Sequence, residues 1–175
     1  MPKFQKCPQK INDLALEILC EFETHKMLLD AKVKIDFVFA FADEDDECRK
    51  VNYALTKNGV RALAIARKIP LKDRAMGRGD CEVSIDHDHW EAIDDRERRA
   101  LLDHELHHFA VKIDKRGLVR DDLGRPVINI RKHDYEFGWF RVIAERHAAA
   151  SVEVQQAAKM FSESGQAFWP DIIRR

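Results

Sequence analysis

Hydrophobic and polar residues alternate along residues 32–41, which is the clearest structural pattern in the chain. Side chains of a β-strand point in turn to its two faces, so alternation predicts a strand with one buried face. Val38 and Ala40 make the far end apolar on both faces, as in a central strand. The residues that share the first face are Val33, Ile35, Phe37, Phe39 and Phe41.

Shorter patterns predict the remaining elements. Residues 61–69 and 80–86 have the composition or alternation of strands, and 118–130 is typical of a hairpin around Asp122-Leu123-Gly124. Apolar spacings of three and four predict an amphipathic helix over 11–30. Further helices are predicted over 94–115, from near His133 or Asp134, and from Ser151.

These elements predict an α+β fold. A mixed sheet of three or four strands (33–41, 61–69, 80–86, with the 118–130 hairpin as the fourth) would pack against the N-terminal helix and the 94–115 helix. The length of 175 residues fits one domain. We expect this domain to cover 1–150 and a C-terminal helical extension to cover 151–175.

Charge and composition exclude several classes of protein. Lys plus Arg is 30 and Asp plus Glu is 31, so the chain is neither a basic nucleic-acid coat protein nor an acidic tail protein. No apolar run reaches membrane-spanning length, and the N-terminus lacks the apolar core of a signal peptide. We therefore expect a cytoplasmic protein without a membrane partner, whose four separated cysteines are reduced thiols.

One local charge excess leaves a nucleic-acid contact open. From Lys57 to Arg78 the chain carries seven basic residues, with Asp73 as the single acid. Such a stretch can contact phosphates, although Lys and Arg also protect exposed strand edges from aggregation.

The candidate chemistry lies at residues 104–108, which carry the pattern H-E-x-x-H. On a helix, His104 and His108 lie one turn apart on the same face and can bind one metal ion. Glu105 is displaced by about 100° around the helix axis, which suits a general base better than a ligand. The pattern predicts a catalytic zinc site.

A catalytic zinc site normally has three protein ligands, so a third must come from elsewhere. His133 is favoured, because a helix starting there could fold back antiparallel over the 94–115 helix. Glu136 is the second choice, and Asp134, Glu145 and His147 are further candidates, with His147 expected to be exposed.

Other residues near the motif have weaker claims. His87 and His89 form an H-x-H pair that is more typical of a polar loop anchored by Trp90. Asp103 and Asp134 could orient the ligating imidazoles, because metal-binding histidines usually donate their second N–H to an acceptor.

Two segments together resemble the phage metallopeptidase family, over about residues 11–147. The resemblance implies a small zincin-like domain of phage or prophage origin. It also implies that His104, His108 and His133 are metal ligands and that Glu105 is the catalytic acid/base. His107 departs from the family, in which Cys is common there. The matching segments are Asp86–His108 with Trp90, and Gly124-x-Pro126-Val127 followed by Arg131-x-His133-Asp134-x-Glu136-Phe137.

The leading functional hypothesis is a zinc-dependent peptidase acting on a protein or peptide, with Arg131 or Tyr135 as a candidate oxyanion donor. The main alternative is a regulatory or DNA-associated phage protein with a structural zinc, supported by the basic stretch alone. A third hypothesis is a zinc hydrolase for a non-peptide amide, because the same motif polarises any carbonyl group.

Overall fold

A computed structural model describes residues 3–45, 47, 50, 52–57, 59–133 and 139–163. Within them the chain is a mixed α and β structure with seven α-helices and a four-stranded mixed sheet. No helix in this part of the chain is both long and apolar enough to cross a bilayer.

Ten strands, several of them very short, occur in the described residues. They are β1 (Lys3–Lys6), β2 (Ile35–Phe41), β3 (Thr56–Lys57), β4 (Val60–Arg61), β5 (Ala64–Lys68), β6 (Cys81–Asp86), β7 (Phe109–Val111), β8 (Ile113–Asp114), β9 (Gly117–Leu118) and β10 (Ile128–Ile130).

The helices surround this framework, with 3-10 turns at Glu23–His25 and Ala148–Ala150. The α-helices are α1 (Gln9–Glu21), α2 (Lys26–Asp30), α3 (Leu71–Ala75), α4 (His87–Ala92), α5 (Asp95–His107), α6 (Arg141–His147) and α7 (Val152–Glu163).

The main sheet has the strand order β1-β2-β6-β5. β2 and β6 are parallel, whereas β1 and β5 pair with them antiparallel. The three strands predicted from 33–41, 61–69 and 80–86 are confirmed as three members of this sheet. The fourth member is β1 and not the 118–130 hairpin. β1 escaped prediction because its sequence, KFQK, is exposed throughout and has no apolar alternation.

The hydrophobic core lies between the sheet and helices α1 and α5. Phe37 and Phe39 of β2 stand in register with Val83 and Ile85 of β6, and all four are buried. Ile11, Ala15 and Ile18 of α1 and Leu101, Leu102 and Leu106 of α5 pack in the same core. The alternation of β2 and the helical spacing of α1 and α5 therefore meet in one apolar layer.

The predicted 94–115 helix is too long. α5 ends at His107, His108 caps it, and β7 begins at Phe109. Phe109 and Ile113 suit a helical spacing of four, but together with Val111 they also alternate as in a strand. Pairing with β10 decides in favour of the strand.

Two other boundaries also need correction. Residues 117–130 do form turns, with a bridge between Arg120 and Pro126, but β9 and β10 pair back to β8 and β7 rather than with each other. His133 lies in no helix, and the next helix among the described residues begins at Arg141. Residues 134–138 lie outside the described part of the chain, as does the end of the tail at 164–175.

A buried carboxylate joins α5 to its neighbours. Asp103 is fully buried and accepts hydrogen bonds from His25 Nε2 at 2.7 Å, Arg146 at 2.5 Å and His147 Nε2 at 2.7 Å. Burial alone would raise its pKa, but the three donors hold the pKa well below its usual range. His147 is thus largely buried against Asp103, contrary to the expected exposure.

We expect Asp103→Ala to lower the free energy of unfolding by about 3–5 kcal/mol, because it leaves buried donors without their acceptor. Glu145→Ala is the matched control: it breaks an exposed ion pair with Arg141 and should cost less than about 1 kcal/mol. Urea unfolding of both variants measures the difference. Equal midpoints for the two variants would contradict the structural role of Asp103.

Candidate metal centre

Three histidines converge at the C-terminal end of α5. His104 lies in its last turn, His108 caps the helix, and His133 follows β10. One ring nitrogen of each lies within 4.8 Å of those of the other two. Among the described residues, this is the group of His, Cys, Asp or Glu side chains arranged to hold a metal ion.

A short β-ladder, rather than a pair of antiparallel helices, brings His133 back over α5. β10 pairs antiparallel with β7, and Ile130 stands opposite Phe109. The next residue, Arg131, is held by His108 through two hydrogen bonds. Its N–H donates to the His108 carbonyl at 2.6 Å, and its carbonyl accepts from His108 Nδ1 at 2.8 Å.

The side chain of Arg131 adds a third contact to this connection. It donates to His107 Nε2 at 2.7 Å. Arg131 is therefore directed to the side of α5 away from the cleft, which removes it as an oxyanion donor. Its backbone and side chain instead fix the path of the chain two residues before His133.

Hydrogen bonds to Nδ1 fix the tautomers of two of the histidines. His104 Nδ1 donates to Glu153 Oε1 at 2.6 Å, and His108 Nδ1 donates to the Arg131 carbonyl. Each ring then carries its proton on Nδ1 and presents the Nε2 lone pair. Such anchoring of the second nitrogen is the usual arrangement for imidazoles that bind metals.

The geometry of the nitrogens fits a metal ion. His104 Nε2 and His133 Nε2 are 3.2 Å apart. Zinc–nitrogen bonds of about 2.0–2.1 Å in a tetrahedron place two ligand nitrogens roughly 3.3–3.4 Å from each other. The observed separation therefore agrees with two ligands of one tetrahedral ion.

The pKa values of His104 and His108 are shifted in opposite directions. Burial and the nearby positive charges lower the pKa of His108 to about 3, so that this ring is neutral and able to bind a cation. Burial also lowers the pKa of His104, but the hydrogen bond to Glu153 and the negative charge of Glu105 outweigh it, and its pKa is raised.

Glu105 lies beside the histidines in a buried position. Burial raises the pKa of its carboxyl group, while the charges of His104 and Lys57 and a hydrogen bond from the Ala66 backbone N–H oppose the rise. A carboxylate with a raised pKa is a stronger base, as general-base catalysis requires.

A cleft of about 230 Å³ opens over this group. One wall is the segment Arg61–Ile65, and the other is formed by Trp139, Val152 and Gln156. His104, Glu105, His108 and His133 all line it. The three imidazoles and the carboxylate therefore face one shared, accessible space.

Sequence reasoning missed the residue that orients His104. Glu153 belongs to the predicted C-terminal extension, yet α7 brings it into the site, where it is buried against His104. Of the two acids named for this role, Asp103 binds His25, Arg146 and His147 instead, and Asp134 lies outside the described residues. An isolated Glu in an amphipathic helix carries no local pattern that could have identified it.

The structure also shows the positions of several weaker candidates for the metal site. His87 stacks on Phe41, with ring centroids 4.4 Å apart, and neither His87 nor His89 belongs to a possible metal-binding group of described residues. Glu145 pairs with Arg141 on an exposed surface. Glu136 and Tyr135 lie outside the described residues, so their roles stay predictions.

A comparison with protein families finds one match. The model of a family described as "Putative phage metallopeptidase" matches residues 3–162. The comparisons with curated proteins and with solved structures give no match.

Removing the acceptor of His104 should weaken metal binding. We expect Glu153→Gln to lower zinc affinity about 10–100-fold, because the imidazole loses the charged partner that orients it. Competition with a fluorescent zinc chelator measures this loss. Glu145→Gln changes an exposed glutamate in the preceding helix and should keep the original affinity. Identical affinities in the two variants would show that Glu153 does not support the site.

Proposed function

Since the chain belongs to the putative phage metallopeptidase family, we propose that it is a zinc-dependent peptidase with a zincin-like catalytic site. The observation that carries this proposal is the common cleft, in which buried Glu105 lies beside three convergent imidazoles. The family supports a metal-dependent peptidase. Zinc and the roles of the individual residues are our proposal.

His104, His108 and His133 would hold the metal. Three imidazole nitrogens are a typical ligand set for zinc, and the 3.2 Å between His104 Nε2 and His133 Nε2 suits two ligands of a tetrahedral ion. Zinc bound there would polarise the carbonyl of the scissile bond and acidify water. Catalytic zinc sites typically have three protein ligands, which is the number this group would supply.

Glu105 would carry the proton transfers. As general base it accepts a proton from the attacking water, and as general acid it passes that proton to the nitrogen of the leaving amine. Burial and the Ala66 N–H keep the carboxylate in one position beside the ligands. His104 would be oriented by Glu153, and His108 by the Arg131 carbonyl.

The edge of the sheet offers a place for an extended peptide. Leu63 and Ile69, which flank β5, form backbone hydrogen bonds to Asp86 and Asp80 at the two ends of β6, so the backbone groups of Ala64 and Ala66 point to the opposite edge. Ala66 donates to Glu105, and Ala64 lines the cleft. A peptide that adds to this edge through Ala64 would lie across the metal site.

Two alternative functions are chemically feasible but have less support. The hypothesis of a DNA-associated protein with a structural zinc depends on the basic segment 57–78. Four of the seven cations in this segment form ion pairs with Asp86, Glu82, Asp80 and Asp121. These ion pairs reduce the positive charge that the segment could offer to phosphates, and contact with nucleic acid stays a prediction. Hydrolysis of a non-peptide amide would use the same residues, and the family favours the peptide.

We expect Glu105→Gln to lower turnover of a peptide substrate about 10²–10⁴-fold, because the amide cannot accept the proton. Zinc content should stay near one ion per chain, since Glu105 is not a ligand. His133→Ala should instead lose zinc under chelator competition. Elemental analysis and turnover on a peptide library separate the two effects. Unchanged cleavage by Glu105→Gln would refute the mechanism.

The edge-strand contact can be tested through the backbone. Ala64→Pro removes an N–H that points away from β6, so the sheet should tolerate it while a bound peptide loses one hydrogen bond. We expect kcat/KM to fall about three- to tenfold. Lys68→Pro is the control, because its N–H points to the same edge but Lys68 does not line the cleft. Equal kcat/KM values for the two variants would exclude peptide binding at Ala64.

A further inference from the structure

A small hairpin carries positive charge to the rim of the catalytic cleft. β3 and β4 pair antiparallel, with Lys57 opposite Val60, and Gly59 in the connecting turn has a φ of 79°. Lys57 and Arg61 both line the cleft with Glu105 and the three histidines. The described residues from 52 to 61 contain no acid that could neutralise these cations within the hairpin.

The two cations differ in their partners. Arg61 forms an ion pair with the buried carboxylate of Asp86 at 2.9 Å, so its charge is already neutralised. Lys57 forms no ion pair with any described residue, and its side chain is exposed. Lys57 is therefore the cation of this rim that can receive an anion from a ligand.

Among the described residues, the two acids that line the cleft form no ion pair with Lys57. Glu153 accepts the Nδ1–H of His104, and Glu105 accepts the backbone N–H of Ala66. A divalent ion on the three histidines would add further positive charge to the same space.

We propose that Lys57 is a specificity-determining residue that receives a carboxylate of the peptide substrate close to the scissile bond. Lys57 lies on the same cleft as the proposed ligands and the edge strand β5, so a peptide paired along β5 would pass beneath the hairpin. A carboxylate there would gain a charge-assisted hydrogen bond, whereas a Lys or Arg side chain would be repelled.

This inference rests on the proposed peptidase function, and two sources could supply the carboxylate. One is the side chain of an Asp or Glu next to the cleaved bond. The other is the C-terminal carboxylate of a short peptide. Both present the same group to Lys57, so the test compounds must carry the two kinds of carboxylate one at a time.

Peptidyl hydroxamates test the inference without turnover, because the hydroxamate chelates the metal and fixes the position of the attached residues. Two series of tripeptides are compared, one with the chelating group at the N-terminal end and one with it at the C-terminal end. In each series the residue next to the chelating group is Glu, Gln or Lys, and the other end of the peptide is blocked. A further member of the first series has Gln and an unblocked C-terminal carboxylate. Calorimetry on the zinc-loaded full chain measures their affinities.

We expect the Glu compound to bind about three- to tenfold more tightly than the Gln compound in at least one series, as for a partly exposed ion pair. Lys57→Glu should reverse this preference in favour of the Lys compound, a gain that misfolding cannot produce. Lys68→Glu changes another exposed cation, one that does not line the cleft, and should preserve the original preference.

The outcomes separate this inference from the proposed function. A Lys57-dependent gain for the unblocked carboxylate alone would assign the anion to the peptide terminus. Hydroxamates that bind without discrimination, or with a preference that Lys57→Glu leaves unchanged, would overturn the role of Lys57 and leave the peptidase intact. Failure of every hydroxamate to bind the zinc-loaded chain would overturn both.

Discussion

The candidate metal centre depends on the complete burial of the second half of α5. All eight residues from Ala100 to His107 are buried, although Asp103, His104, Glu105 and His107 are polar. A buried polar group without a partner costs free energy, so the surrounding elements must supply a partner for each. Each partner comes from a different direction, and together they fix the rotation of the helix about its axis.

Those partners divide the helix into a structural side and a chemical side. On one side, Asp103 binds donors from the 3-10 turn Glu23–His25 and from α6. On the other side, His104 donates a hydrogen bond to Glu153, and Glu105 interacts with the backbone of β5. Rotation of α5 about its axis would break several buried hydrogen bonds. The histidines and the carboxylate therefore stay directed toward the cleft.

Local patterns in the sequence were sufficient to predict three of the four strands of the main sheet and the first residues of the site. The alternation around Phe37 and Phe39 and the spacing of His104 and His108 are local, so the sequence displays them directly. β1 and Glu153 owe their positions to long-range contacts and show no pattern of their own. The convergence of His133 was expected, but through a pair of helices, whereas pairing of β7 with β10 produces it.

The arrangement of the three imidazoles couples metal binding to the fold. With their protons held on Nδ1 by Glu153 and the Arg131 carbonyl, His104 and His108 direct Nε2 lone pairs toward the space they share with His133. His104 Nε2 and His133 Nε2 lie 3.2 Å apart, and two ring nitrogens at this distance repel unless a proton or a cation lies between them. A bound cation would replace that repulsion with coordination, so its binding free energy would also stabilise the β7–β10 connection that carries His133. The residues of β7 and β10 that bring Arg131 beside His108 would therefore support metal binding, although they do not line the cleft.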